Sequence, residues 1–409
     1  MQVTERNNKI FWVNIFNFVM SIHYAIILYS GSTYLGNIFG ESNIWLIYTT
    51  GSLLTILLNF SVTGILRQFS IYKVTSFILV LAFLNLINLY LNQENLNVLL
   101  SFTMYIAFGE FLTLLSSIMM EDLSKDSITG GIRGRFISMQ SLGYVIAPFI
   151  ASFIIKDFGI SSLFLVSGIF ITLSLFIFKF FVRKIPAITI HQKNLRPAFL
   201  KILRNKDIRN IIIAQIGLSI FYSVAVLYIP FKVVSVGIPL TEYLGILLPL
   251  ALLPFLFVPP WLGHFEDQVK DEKEIILLGF VGLIIMLILF AFTTSSLLVV
   301  WGLLLFVSRV FASGVETSIS SYLFKKIDKT DTAIISIFSS SQTFAYFIFT
   351  PIFASLLKLT DLKILFLSVS FFLCFVIVLV SKIHDTKNYE KHKAWKEIWR
   401  RSKTKAASN

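Results

Sequence analysis

The chain has 409 residues, of which 56% are apolar and 14% are charged. Soluble domains carry about 25% charged residues, so this composition excludes a soluble enzyme, and the many apolar residues exclude a disordered chain. The single cysteine, Cys374, excludes a disulfide framework and a cysteine-based metal site within one chain. The formal net charge of +13 would fit a nucleic-acid partner, but the distribution of the charges favours a membrane surface, and we expect no nucleic acid.

Twelve apolar segments are each long enough to cross a bilayer as a helix, which takes about 20 residues. They occupy roughly residues 10–34, 43–66, 74–91, 97–120, 136–155, 160–182, 208–230, 243–262, 275–293, 296–323, 333–357 and 364–381. Backbone in lipid must satisfy its own hydrogen bonds, so the sequence predicts an all-α polytopic membrane protein with twelve transmembrane helices. The first segment follows Arg6 and Lys9 like a signal peptide. Because it is longer than a typical signal sequence and shows no clear cleavage site, we interpret it as an uncleaved span.

Lys and Arg residues lie overwhelmingly on one side of the predicted membrane. With the N-terminus inside, 30 of the 35 fall in inside segments. The outside loops hold 4, namely Lys156, Lys232, Lys358 and Lys363. Positive residues are enriched on the cytoplasmic side of membrane proteins. We therefore expect both termini in the cytoplasm and a multi-pass protein of the plasma membrane, or of the bacterial inner membrane.

The longest polar connection divides the chain into two halves of six spans. The predicted units are an N-terminal bundle at 1–182, a cytoplasmic linker at 183–207, a C-terminal bundle at 208–382 and a basic cytoplasmic tail at 383–409. Within the linker, Pro197 can begin a short helix that places Phe199, Ile202 and Leu203 on one apolar face. The alternative is a solvated linker with some helix.

The C-terminal tail combines an aromatic edge with basic residues. Trp395, Ile398 and Trp399 fall on one helical face and are surrounded by Lys and Arg. Such a segment is typical of a helix in the headgroup region of an anionic leaflet. We expect the tail to bind anionic lipid; the alternative is a disordered positive tail.

The two halves show a weak internal repeat. The pattern P-x-x-A-S begins at Pro148 in the fifth span and at Pro351 in the eleventh. Parallel repeats of six spans are typical of transporters whose substrate site lies between the halves. With its twelve spans, basic central loop and both termini predicted inside, the chain resembles the major facilitator superfamily of secondary transporters over nearly its whole length.

Short motifs add to this resemblance. The family carries G-x-x-x-D-R-x-G-R-[KR] after the second span and more loosely after the eighth. Here the second copy keeps Gly263 and Asp267, whereas the first copy has Gln68 in place of the aspartate. The fifth span also carries G-x-x-x-A-P from Gly143 to Pro148, a pattern that resembles proton-exchanging exporters of the family. The resemblance implies that these motif residues support the conformational change, and it favours export.

Three ionisable residues lie clearly within the spans: Glu110, Arg309 and Glu316. Charges in a bilayer are costly and usually mark transport pathways, so we predict coupling or gating roles for all three. On the spans that carry these charges, further polar residues lie on the same helical face, and other spans carry a line of polar residues along one face. The predicted cavity residues are Asn17, Tyr24, Thr103, Gln215, Ser219, Tyr222, Ser313 and Gln342. The resemblance implies a central cavity lined by spans one, four, seven and ten, and the polar stripes fall on those spans.

Structural roles remain open for several of these residues. Glu110 could be capped by hydroxyl groups of neighbouring helices, and Arg309 could pair with Glu316 only to stabilise span ten. Their Cα atoms are about 10.5 Å apart along the helix axis, which strains a direct contact. The lone His23 is expected to be packed or hydrogen-bonded. Span nine has no polar side chain before Thr293 and is expected to face lipid.

The function that follows is a secondary active transporter that moves a small organic solute by alternating access, coupled to protons, with export as the favoured direction. The alternatives are a facilitated-diffusion carrier and a non-transporting membrane sensor or scaffold. The sequence has no H-E-x-x-H motif and no P-loop, which argues against metal-dependent hydrolysis and ATP use. We expect no enzymatic activity, no cofactor, no metal, and a monomer.

The charge distribution predicts the accessibility of introduced cysteines. In a Cys374→Ser background, Asn194→Cys should not react with a membrane-impermeant thiol reagent added to intact cells, because the linker is expected inside. Lys156→Cys, placed in an outside loop, is the matched control and should react. Labelling of Asn194→Cys from outside would invert the predicted topology.

Overall fold

The computed structural model describes residues 3–123, 129–182, 195–268, 272–327 and 332–384. These residues form α-helices joined by short connections, and no strand occurs among them. The helices are α1 (Val3–Phe39), α2 (Trp45–Gln68), α3 (Ile71–Leu91), α4 (Asn95–Leu123), α5 (Thr129–Phe158), α6 (Ser162–Ile177), α7 (Leu195–Arg204), α8 (Lys206–Leu227), α9 (Ile229–Ser235), α10 (Leu240–Glu242), α11 (Leu248–Leu252), α12 (Pro254–Gln268), α13 (Glu272–Phe292), α14 (Leu298–Lys326), α15 (Thr332–Ser339), α16 (Ser341–Leu359) and α17 (Leu362–Val380).

Twelve stretches are long and apolar enough to cross a membrane, which confirms the predicted number of spans. Spans one to six correspond to α1–α6, and span six continues into a π-helical turn at Phe178–Val182. Span seven comprises α8 and α9, and span eight comprises α10 to α12. Spans nine to twelve correspond to α13, α14, α16 and α17. The chain is therefore an all-helical, multi-pass integral membrane protein.

Span eight is interrupted where its prolines lie. A π-helical segment, Tyr243–Leu247, separates α10 from α11, and Leu253 separates α11 from α12. Pro249 stands at the start of α11 and Pro254 begins α12. Proline lacks the amide hydrogen that the interior of a helix requires, which fits the positions of Pro249 and Pro254 at the beginnings of helical pieces.

The two halves repeat the same packing scheme and meet reciprocally. Span one packs on spans four, five and six, and span seven packs on spans ten, eleven and twelve. Between the halves, span two packs on span eleven, and span five packs on span eight. The second helix of each half therefore contacts the fifth helix of the other half.

Three hydrogen bonds join the halves near the distal end, which we define as the end of the bundle opposite the first and last described residues. Thr49 and Thr350 share a hydrogen bond of 2.8 Å between their hydroxyl oxygens. The Ser152 hydroxyl donates to the carbonyl of Thr241 at 2.7 Å. A third bond, of 3.3 Å, runs from the Ser32 hydroxyl to the carbonyl of Val226. The halves are therefore tied together at the distal end.

At the opposite, proximal end, charged residues tie helices of the C-terminal half together. Asp207 accepts a hydrogen bond from Lys326 Nζ at 3.0 Å, and its other oxygen accepts from the backbone N–H of His384 at 3.3 Å. One carboxylate thus joins the start of span seven to the ends of spans ten and twelve. Glu272 forms an ion pair with Lys325, which joins span nine to span ten.

The linker helix forms as predicted, but its apolar residues do not share one environment. Within α7, Ala198 and Ile202 are buried, whereas Phe199 and Leu203 are exposed. Phe199, Ile202 and Leu203 lie on one side of α7 by their spacing, and only part of this side packs on protein, since Ile202 is buried where α7 meets α8 and α15. Residues 183–194 of the linker and 385–409 of the tail lie outside the described residues, so the tail helix stays a prediction.

Span nine has one packed and one open face. Phe280, Leu283 and Phe290 are fully buried, and span nine packs on spans ten and twelve. Leu278 and Ile285 are exposed on the other side. The apolar, exposed side is the one available to lipid.

The Asp207 cluster predicts a loss of stability on neutralisation. Asp207→Asn should destabilise the protein by about 1–3 kcal/mol, because it removes a charge-assisted hydrogen bond that links three spans. Thermal unfolding of the purified protein in detergent measures this effect. Asp157→Asn, at an exposed position, is the matched control and should change stability by less than about 0.5 kcal/mol. Equal effects of the two substitutions would contradict a role for the cluster.

Candidate functional site

Glu110 is held by a tyrosine from the first span. Tyr24 Oη donates a hydrogen bond to Glu110 Oε1 at 2.9 Å. Tyr24 is 5% exposed and Glu110 is half-buried. Tyr105, from span four, donates to the carbonyl of Tyr24, and the two rings stack 5.6 Å apart. The carboxyl group therefore has a hydroxyl partner, as expected if Glu110 is capped by a hydroxyl group of a neighbouring helix.

Glu316 has the equivalent partner in the second half. Tyr222 Oη, on span seven, donates to Glu316 Oε2 at 2.7 Å. Glu316 is half-buried in span ten. No ion pair joins Glu316 to Arg309 in the part of the chain that the structure describes, so the possible internal pair within span ten is not formed.

The two tyrosine–glutamate pairs occupy equivalent places in the repeat. Each pair joins the first helix of its half to the fourth. The spacing around the tyrosines is also the same: Asn17, Ser21 and Tyr24 in span one correspond to Gln215, Ser219 and Tyr222 in span seven. This matching spacing is visible in the sequence and marks Tyr24 and Tyr222 as equivalent positions of the repeat.

Arg309 differs from both glutamates because it has no polar partner. It is 4% exposed and lies near the middle of span ten, Leu298–Leu323. Its guanidinium carbon lies 5.6 Å from the Phe221 ring centre and 5.9 Å from that of Tyr222. Its Nε is buried without a hydrogen-bond partner, and no ion pair of this residue is formed among the described residues. Aromatic faces therefore provide the contacts that the structure shows for this cation.

Tyrosines that the sequence analysis did not single out surround these groups. The rings of Tyr29 and Tyr144 lie 6.4 Å apart, and the rings of Tyr48 and Tyr346 stack 6.0 Å apart across the boundary between the halves. The charge of Arg309 acts on the hydroxyl groups of Tyr29 and Tyr243. The centre of the molecule is therefore an aromatic, hydroxyl-rich region shared by both halves.

Several predicted cavity residues have protein partners instead. Asn17, 2% exposed, donates to the carbonyl of Phe136 at 3.1 Å and ties span one to span five. Thr103 shares a hydrogen bond with Thr50 of span two at 3.0 Å. Ser219 is fully buried and donates to the carbonyl of Gln215 in its own helix. Asn17 and Thr103 thus connect neighbouring spans, Ser219 bonds within its own helix, and a cavity role for all three stays a prediction.

Two other predicted cavity residues each have a polar atom without a hydrogen-bond partner among the described residues. Gln215 Oε1 and Ser313 Oγ are buried without hydrogen-bond partners. Ser313 lies one helical turn from Arg309. Gln342, near the start of α16, is exposed. Gln215 and Ser313 therefore keep polar atoms available in the neighbourhood of the charged groups.

The residues of the two family motifs lie in different helices, and only some of their surroundings are described. Gly143 lies against span one so closely that an added Cβ would be 2.7 Å from Ser21 Cβ and 2.9 Å from the carbonyl oxygen of Phe18. Pro148 is inside α5. Gly263 and Asp267 lie within α12, but their side chains fall outside the described residues. The structure thus gives Gly143 a definite role in the close approach of two helices.

His23 is buried and hydrogen-bonded, as expected. Its Nδ1 lies 2.6 Å from Ser167 Oγ, and Ser167 donates to the carbonyl of His23 at 2.9 Å. These contacts tie span one to span six. In the described part of the chain, no group of three or more His, Cys, Asp and Glu side chains is arranged to hold a metal ion.

Comparison with known proteins identifies the same architecture. The sequence profile described as Major Facilitator Superfamily matches residues 10–350. No curated protein sequence matches the chain. Among solved structures, the nucleoside transporter NupG is similar with a TM-score of 0.74 at 13% identity, covering 92% of this chain and 100% of that one.

Two other solved structures show the same fold. A bacterial homolog of the human lysosomal transporter Spinster, inward-facing and unoccupied, has a TM-score of 0.74 at 10% identity and covers 93% of this chain and 97% of its own. A POT family transporter in complex with a thioalcohol-conjugated peptide has a TM-score of 0.72 at 13% identity, with 91% and 94% covered. At these identities the likeness concerns the fold.

Gly109, next to Glu110, predicts a steric test of the first pair. A Cβ at this position would lie 2.3 Å from a Tyr24 ring carbon, so Gly109→Ala should displace Tyr24 and destabilise the protein. Alanine normally stabilises a helix by about 1 kcal/mol relative to glycine. Gly314→Ala, whose Cβ would meet only Leu262 at 3.7 Å, is the control and should be neutral or stabilising. Thermal unfolding measures both; a stabilised Gly109→Ala variant would contradict the close contact.

Proposed function

The chain belongs to the major facilitator superfamily, and on that premise we propose that it is a secondary active transporter coupled to protons. The family and the fold make it a membrane transporter. The proposal adds that it moves a small organic solute by alternating access across the plasma membrane, or the inner membrane of a bacterium. The tail at 383–409 is proposed to bind anionic lipid.

The observation that carries proton coupling is the pair of equivalent tyrosine–glutamate contacts. A carboxyl group that is removed from water readily takes up a proton, because its charged form loses solvation. Each glutamate accepts a hydrogen bond from one tyrosine of its own half, at 2.9 Å for Glu110 and 2.7 Å for Glu316. Neither is neutralised by an ion pair in the described part of the chain. Each half therefore holds one carboxyl group that can exchange a proton between the two access states.

The hydrogen bonds at the distal end support alternating access. If both termini are cytoplasmic, the distal end is the outer side of the membrane. The bonds Thr49–Thr350 and Ser152–Thr241 then close the outer side. These side-chain contacts would have to open before the site becomes accessible from the outer side. The pattern from Gly143 to Pro148 favours export as the direction of net transport.

Glutamine substitutions at the two carboxyl groups test the coupling. The assay uses purified protein in proteoliposomes, with radiolabelled neutral, cationic and anionic small solutes tested with and without a pH gradient of one unit. One coupled proton allows about tenfold accumulation per pH unit. Glu110→Gln or Glu316→Gln should reduce the accumulation ratio to about one while exchange of solute across the membrane continues, because the proton site is lost and the pathway is retained.

The controls separate coupling from folding. Glu94→Gln, at an exposed position in a connection, should accumulate solute like the wild type. Tyr24→Phe and Tyr222→Phe remove the hydroxyl partners without changing the glutamates and should shift the pH dependence of transport. If both glutamine variants accumulate solute normally, proton coupling through these residues is wrong and a facilitated-diffusion carrier is favoured. Absence of flux for every solute in the wild type would favour a sensor or scaffold.

A further inference from the structure

Arg309 carries a charge that forms no ion pair with any described residue. It is 4% exposed, its Nε has no hydrogen-bond partner, and it forms no ion pair with the described residues. Leaving a buried charge without a counter-charge costs several kcal/mol. Phe221 and Tyr222 offer ring faces at 5.6 and 5.9 Å, which attract a cation only weakly. A group that completes this site therefore has to be negative.

The neighbouring polar groups are also donors without acceptors. Tyr29 and Tyr243 lie within the electrostatic influence of Arg309, and neither hydroxyl group makes a hydrogen bond to a described residue. The nearby acidic side chain, Glu316, already accepts from Tyr222. A guanidinium group and two phenolic hydroxyl groups near it thus have no acceptor among the described residues.

These donors come from both halves of the protein. Tyr29 belongs to span one, whereas Tyr243 and Arg309 belong to spans eight and ten. A ligand bound among them would contact both halves at once. This is the arrangement expected of a substrate site in a parallel-repeat transporter.

We propose that Arg309, Tyr29 and Tyr243 bind the carboxylate of a monoanionic organic substrate, whose apolar body packs on the ring of Tyr222. This inference rests on the proposed transport function and names its substrate class. A single cation matches a monoanion, whereas a phosphate dianion would leave one charge unbalanced. The planar guanidinium group and the hydroxyl donors fit the two oxygens of a carboxylate.

The experiment measures binding without any gradient, so it is independent of proton coupling. Purified protein in detergent is titrated with benzoate, phenylacetate and hexanoate, and binding is followed by the rise in the thermal unfolding temperature. Benzamide replaces the carboxylate by a neutral group of the same shape, and phenyl phosphate replaces it by a dianion. At least one of the three carboxylates should stabilise the wild type, and benzamide and phenyl phosphate should not.

Variants then assign the effect to the site. Arg309→Gln should weaken carboxylate binding by about tenfold or more, because a hydrogen-bonded charge is lost, and Arg309→Lys should restore part of it. Tyr29→Phe and Tyr243→Phe keep the rings and remove the donors, and each should weaken binding several-fold even if Arg309→Gln folds poorly. Tyr90→Phe, on span three, is the matched control and should bind like the wild type.

The results of this experiment support or overturn the anion site independently of proton coupling. Carboxylate binding that survives in Glu110→Gln and Glu316→Gln supports the anion site even if proton coupling is disproved. Carboxylates that stabilise the wild type no more than benzamide does would overturn the anion site, and so would unchanged binding in Arg309→Gln. Stronger binding of phenyl phosphate than of benzoate would overturn the assignment to a carboxylate.

Discussion

An ionisable side chain inside a membrane must be hydrogen-bonded, paired or neutralised, because hydrocarbon cannot solvate its charge. The central region satisfies this constraint in two different ways. Glu110 and Glu316 each accept a hydrogen bond from a tyrosine, which suits a carboxyl group that gains and loses a proton. Arg309 has no hydrogen-bond or ion-pair partner among the described residues, and its contacts are with the ring faces of Phe221 and Tyr222. The proposed roles follow from this difference: proton exchange for the glutamates and anion binding for the arginine.

Both halves carry a carboxyl group at the equivalent position, but only the C-terminal half carries a cation at the position seven residues earlier. Arg309 stands seven residues before Glu316, and Thr103 stands seven residues before Glu110. Thr103 is neutral and is engaged with Thr50 of span two. Each half therefore carries its own carboxyl site, whereas only the C-terminal half carries the anion receptor. Since Tyr29 brings a hydroxyl group from the N-terminal half towards Arg309, the asymmetric site still depends on both halves.

The sequence predicts properties that depend on local composition and leaves out those that depend on how helices rotate against one another. The twelve spans were predicted because an apolar run of sufficient length is a local signal. Glu110, Arg309 and Glu316 were found because charged residues within spans are rare.

The tyrosines that donate hydrogen bonds to the glutamates were not predicted, because the Tyr24–Glu110 contact joins residues in two separate spans. Tyr29 and Tyr243 were missed because tyrosine is frequent throughout membrane proteins, also at the interfaces. Asn17 was taken for a cavity residue because polarity alone does not distinguish a pathway from a tie between helices such as its bond to Phe136.

The summed charge of Glu110, Arg309 and Glu316 links proton coupling to anion binding. Occluding the site removes water, so occlusion is least costly when the enclosed charges sum to zero. With no substrate, the positive Arg309 is balanced when one of Glu110 and Glu316 is ionised and the other is protonated. With a bound monoanion, the balance requires both glutamates to be protonated.

A transporter that occludes only states of zero net charge would therefore carry one proton together with each anion, in the same direction. Such a cycle moves no net charge, so the membrane potential would not drive it and the pH gradient would. Because the direction of transport then follows the combined gradients of the anion and the proton, export, which the span-five pattern favours, would require an outward anion gradient larger than any inward proton gradient.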